Sequence, residues 1–199
     1  MTIPVIDPAA LAPLLHGWEE GMLYAYLSGR MGYAVADKEY RSAQVRVGDF
    51  CFLAGEPDAA VAAWQPALPQ LYTIFIPRTR DWDSLIEQVY PQARRSMRYA
   101  FRKDNAFDAA ALHGFAALRP EGYLLKRMDK ALYRQAEQAG WSRDLVSQYP
   151  VWENYAAHGM GYAVLQDGGL VCGASSYADW PGGIEIEIDT HPDFRRIGL

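Results

Sequence analysis

The chain has 199 residues, 50% of them hydrophobic, and a formal net charge of −5. That length allows one large domain or two small ones, and folding would bury about 70% of the unfolded chain's surface. The acidic balance disfavours nucleic acid as the main partner, because a binder needs a basic field to displace phosphate counterions. No run approaches the ~18 uninterrupted apolar residues of a membrane span.

The N-terminus has no basic segment and no long apolar run, so it does not read as a signal peptide, and a cytoplasmic location is expected. Residues 8–18 place Leu11, Leu14, Leu15 and Trp18 at helical spacing, with Asp7 as a cap. Residues 22–27, 33–36 and 43–47 read as strands, separated by turn-forming segments at 28–30 and 37–39. Residues 50–53 continue as an apolar strand. Pro57 suits the first turn of a helix that runs to Trp64. Residues 72–76 read as a buried strand. Residues 81–90 read as a helix with Trp82, Leu85, Ile86 and Val89 on one face, Ser84 and Glu87 at capping-box spacing and Pro91 at the stop. Residues 94–102 alternate as a strand would, although Arg94, Arg98 and Arg102 also fit helical spacing. Their basic side is either an anion-binding face or a solvated strand face. Residues 107–117 read as a helix, and 119–122 mark the best boundary between domains.

The second half is more regular. Residues 123–126 form a short strand. Asp129 caps a helix that reaches Gln138, Ser142 opens another, and 152–158 add a turn or two. A meander follows: strands at 161–166, 170–178 and 184–189, with turns at Asp167-Gly168 and at 180–183.

The informative stretch is residues 183–199, GIEIEIDTHPDFRRIGL. Ile184, Ile186 and Ile188 alternate with Glu185, Glu187 and Asp189, so one strand face is apolar and the other acidic. Three carboxylates in a row cost little in solvent. Lining an enclosed site, they raise at least one carboxyl pKa and offer a general base. The loop that follows has the form Arg-x-x-Gly. Bare N–H groups, Arg195, Arg196 and a close backbone approach at Gly198 suit a pyrophosphate.

The strand, His191-Pro192-Asp193-Phe194 and the Arg-x-x-Gly loop together resemble motif A of the GNAT superfamily, whose loop reads Gln/Arg-x-x-Gly-x-Gly/Ala. Arg195 matches the first position and Gly198 the fourth. The last would be residue 200, so the resemblance implies a chain cut inside the loop, with weak or absent acetyl-CoA binding by these residues alone. Residues 185–190 with the Arg-Arg-x-Gly-Leu after them, 159–165 and 48–57 look like the acetyltransferases that include zwittermicin A resistance proteins. The likeness runs loosely over most of the chain and is specific near 159–199.

The resemblance implies an α+β (mixed α/β) GNAT-like fold with a mainly antiparallel central sheet flanked by helices. An N-terminal α+β region would cover 1–120, and the N-terminal half of a GNAT-like domain 121–199. It implies acetyl-CoA as donor and the amine of a small molecule or amino-acid-like substrate as acceptor. Ile188, Asp189 and Thr190 would bond the pantetheine arm through their backbone. Arg195, Arg196, Ile197, Gly198 and Leu199 would hold the pyrophosphate. A neutral amine needs a general base. Glu185 and Glu187 are both candidates, with Glu185 favoured.

Other residues carry less. The four histidines have no ligand spacing and no cysteine cluster beside them, so no metal is expected. His191 is either a base or, the favoured reading, a cap at the strand end. Cys51 and Cys172 read as buried thiols, and Ser175 and Ser176 lack the context of a hydrolase elbow. Trp141, Tyr149, Trp152 and Tyr155 are core residues or the floor of an amine pocket. Two further readings stand beside acetyl transfer. One is a non-catalytic binding module, dimerising through open sheet edges as a homodimer. The other is a small-molecule enzyme of another class with a chance Arg-x-x-Gly.

Overall fold

The structure is a computed structural model that describes residues 1–68, 70–99, 107–118 and 120–199. The fold is mixed α/β, as expected, with two sheets among the described residues. The chain divides into two compact units. Met1–Arg95 and Ala178–Glu185 make the first, Ser96–Tyr177 and Ile186–Leu199 the second. The expected boundary near 120 falls inside the second unit's range.

In the first unit, Asp7 accepts from the Ala9 N–H and starts a 3-10 turn at Pro8–Leu11, which leads into α1 (Ala12–Leu15). Leu11 and Leu15 are buried. Next comes α2 (Gly21–Leu27), where a strand was expected. A short continuous apolar run does not distinguish strand from helix by period. Here Met22, Leu23, Ala25 and Tyr26 are all buried on a helix, and the good helix formers Met, Leu and Ala outweigh the two tyrosines.

The first sheet has the order β1-β2-β3-β4-β5, from Thr2–Pro4, Tyr33–Asp37, Ser42–Val47, Phe50–Gly55 and Ile74–Pro77. Its pairs are antiparallel except β4 with β5, which are parallel. A parallel pair needs a long crossover. The segment that carries α3 (Ala59–Ala63) supplies it, with Asp58 accepting from the Val61 N–H as cap. Helix α4 (Arg80–Val89) covers the same side. Cys51, Leu53, Val61, Ala62, Trp82 and Ile86 form a core there. Thr79 caps α4, so the Ser84–Glu87 pair lies inside the helix and is not its capping box. No strand forms over 94–99. Arg95 instead pairs with Asp83 and Glu87 of α4 at 2.9 and 2.8 Å, and Phe101 and Arg102 lie outside the described residues.

The second unit holds α5 (Ala109–Ala117), α6 (Lys130–Gln138) and α7 (Trp152–His158). Asp129 caps α6 by accepting from the Leu132 N–H at 2.9 Å. After Ser142 only a 3-10 turn forms, Arg143–Leu145, because the Ser142 hydroxyl donates back to Ala136 O and does not cap. The second sheet has the order β6-β7-β8-β9, from Tyr123–Arg127, Gly161–Gln166, Gly169–Trp180 and Gly183–Thr190. The hairpin end of β8 and β9, Ala178–Glu185, counts with the first unit.

Buried hydroxyls fasten this sheet to its helices. Tyr149 donates to Ser176 Oγ, and Tyr155 shares a hydrogen bond with Ser175 Oγ, both at 2.8 Å. Those two serines are therefore structural partners of tyrosines. Tyr133, Tyr149, Trp152 and Tyr155 pack ring against ring, Tyr149 edge-on to Tyr155 with centroids 5.1 Å apart and Trp152 stacked on Tyr155, so Tyr149, Trp152 and Tyr155 belong to packing.

Candidate functional site

Strand β9 and the segment after it carry the residues expected to act as base and to bind acetyl-CoA. β9 stands at one end of the second sheet's strand order. One of its backbone edges thus lacks a strand partner among the described residues, and an open edge can bond an extended amide ligand.

The two faces of β9 can be told apart. Thr190 Oγ1 donates to Cys172 Sγ at 3.2 Å, so Thr190 lies on the Cys172 side of the sheet. Alternation puts Ile186 and Ile188 on that side, where they are 62% and 66% exposed. Glu185, Glu187 and Asp189 point the other way and are half-buried. The acidic row therefore takes the more enclosed side, the arrangement in which carboxylate pKa values rise. Asp189 follows that logic. Burial, and then the Asp144 carboxylate, push its pKa up against the pull of Arg195.

Within the first unit, the Glu185 carboxylate meets the start of α2. A Cβ built on Gly21 would fall within 3.0 Å of Glu185 Oε1 and of the Trp180 indole. Close by, Asp179 of β8 is buried and ion-paired with Arg30. Sequence reasoning missed Gly21, Trp180 and Arg30. Gly21 meets Glu185 and Trp180, and Arg30 meets Asp179, across some 150 residues of chain, and no local spacing signals such meetings.

After β9 the chain makes a 3-10 turn, Pro192–Phe194, capped by His191, whose Nδ1 accepts from the Asp193 N–H at 3.3 Å. The His191 ring stands edge-on to Trp141 at 5.4 Å and beside Phe194 at 5.6 Å. His191 is thus the cap that the sequence favours. Arg195 Nε donates to Thr190 O at 3.1 Å and folds the loop back on the strand end. Arg196 and Gly198 take left-handed φ values of 64° and 83°. Such residues curl successive N–H groups toward one concave side, a geometry that takes anions. A Cβ on Gly198 would meet nothing within 4 Å, so the backbone there is open to a ligand. Arg195, Arg196, Ile197 and Gly198 are exposed. Leu199 and Phe194 anchor the loop on Val164, Val171 and Cys172.

Both cysteines are free and buried, and burial raises the Cys51 pKa to about 12. Neither is poised as a nucleophile. Among the described residues no group of three or more His, Cys, Asp and Glu could hold a metal ion, and no helix is long and apolar enough to cross a membrane.

A mixed α/β chain with an antiparallel sheet that ends on a strand like β9 is compatible with the fold of an acyltransferase. The chain belongs to the GNAT acetyltransferase family, whose model matches residues 12–199. It is also similar to a solved structure, a GCN5-related N-acetyltransferase-like protein from Streptococcus suis 89/1591. The TM-score is 0.88 and the identity 36%, over 97% of this chain and 79% of that one. The comparison with curated proteins gives no match.

Proposed function

We propose that this protein transfers an acetyl group from acetyl-CoA to the amine of a small molecule or amino-acid-like acceptor. The observation that carries the reading is the open edge of β9 running into an exposed loop with two left-handed residues. An extended pantetheine arm needs backbone partners along its length, and a pyrophosphate needs converging N–H groups and positive charge. Ile188, Asp189 and Thr190 offer the first. Arg195, Arg196, Ile197, Gly198 and Leu199 offer the second. Acetyl-CoA supplies an activated thioester when bound.

The chain's own residues do the rest. An ammonium must lose its proton before its nitrogen can attack, and a half-buried carboxylate is suited to take it. Glu185 is the proposed base and Glu187 the second candidate. The net charge of −5 favours a cationic acceptor. The likeness to acetyltransferases that include zwittermicin A resistance proteins fits a small acceptor. A cytoplasmic location belongs to the same reading. The family match does not favour a non-catalytic dimerisation module.

Calorimetry with acetyl-CoA tests the donor site. Against the weak or absent binding that the loop resemblance alone implies, it should show one saturable site, weakened about tenfold by Gly198→Ala, since a Cβ strains the left-handed backbone and crowds the phosphate. No saturable heat, or an affinity that Gly198→Ala leaves untouched, would remove this reading.

A further inference from the structure

Gly21 opens α2 and is buried. A Cβ built there would lie closer than 3.0 Å to Glu185 Oε1, and 2.6 and 2.7 Å from Cη2 and Cζ3 of Trp180. Real Cβ atoms do not approach so closely. The carboxylate and the edge of the indole thus share the small space that the missing side chain leaves open. The indole has little freedom to yield. A Cβ on Gly183 would also come within 3.0 Å of the same ring, and Tyr24 stands against it with centroids 5.7 Å apart. A carboxylate alone could swing away from a new methyl group. An indole held by a second glycine and a tyrosine cannot do so without moving the hairpin that bears Glu185.

We propose that Gly21 and Trp180 are positioning residues for Glu185. Gly21 provides the seat for the carboxylate and Trp180 the wall behind it. This rests on Glu185 being the base. A base acts only from hydrogen-bond reach of the proton it takes, and a displacement of 1 Å costs on the order of 10²-fold in rate. Gly21 is too far from Glu185 and Trp180 in sequence for any spacing to reveal the pairing. The effect of Gly21 and Trp180 reaches the reaction through one carboxylate.

That makes a double-mutant cycle the test. Thiol release from acetyl-CoA is followed with spermidine or a lysine peptide as acceptor, and with water where these react slowly. Gly21→Ala should lower kcat about 10- to 100-fold, while KM for acetyl-CoA stays within about twofold. In a Glu185→Gln background the same change should alter kcat less than about twofold. Equal losses in both backgrounds would overturn the proposal, since a merely structural glycine costs the same with or without the carboxylate. If Gly21→Ala does not fold, Trp180→Phe replaces it in the cycle. It removes the wall without adding a Cβ, and the same non-additivity is expected. A Glu185→Gln protein with undiminished kcat, or an unsubstituted protein that releases no thiol, would instead remove the base reading on which the proposal rests.

Discussion

At Asp189, burial and the neighbouring Asp144 carboxylate raise the pKa above the ordinary 3.8. Below that value the group is protonated in folded and unfolded chains alike. As pH rises through the raised folded value, the unfolded chain releases the proton more easily, so stability falls. Asp189→Asn should therefore raise the melting temperature at pH 7 and change it little at pH 3. An equal shift at both pH values would show that the carboxylate's charge is not the cause. The acidic row was legible from its alternation with Ile184, Ile186 and Ile188. Which row faces inward was not. The usual rule buries the isoleucines, and this strand exposes Ile186 and Ile188 instead. A rule based on hydrophobicity alone does not anticipate a strand whose polar side is the more enclosed one.

In the chain between α3 and β5, Arg46 of β3 holds residues 64, 65, 70 and 73. Arg46 is 1% exposed and donates to Gln44 Oε1 at 2.6 Å, Gln70 Oε1 at 2.7 Å, Gln65 Oε1 at 3.0 Å, Thr73 Oγ1 at 3.3 Å and Trp64 O at 3.4 Å. Every partner is a neutral oxygen, so the charge is dispersed over dipoles. Arg46→Met keeps much of the stem and strips these partners of their donors. It should cost about 3 kcal/mol in urea unfolding and speed amide exchange at residues 64, 65, 70 and 73. A loss below about 0.5 kcal/mol would mean that these residues are held by something else. Arg46 alternates with the apolar Val45 and Val47, yet all six residues of β3 are buried. The second half was more legible because its cues are local. Asp129 caps α6, and helix α7 and strand β7 keep the bounds that their periods suggest. Strand 22–27 became α2, and 94–99 formed no strand, because short runs without a clear period are decided by tertiary contacts.

At the scale of the molecule, two compact units share a chain whose residues 12–199 match one acetyltransferase family. The family was legible in residues 183–199, since a strand and the loop that follows it are neighbours in sequence. The seat of Glu185 was not, since it joins α2 to a hairpin more than 150 residues away in the chain. Acetyl transfer is the claim that the whole arrangement serves, and the most direct test reads the product. The protein is incubated with acetyl-CoA and an amine panel, and acceptor masses are measured beside released thiol. The expected result is one acetyl group gained per thiol released, with the rate reduced about 10²-fold by Glu185→Gln and less by Glu187→Gln. Thiol release without any acetylated amine, or full transfer by both variants, would contradict the account.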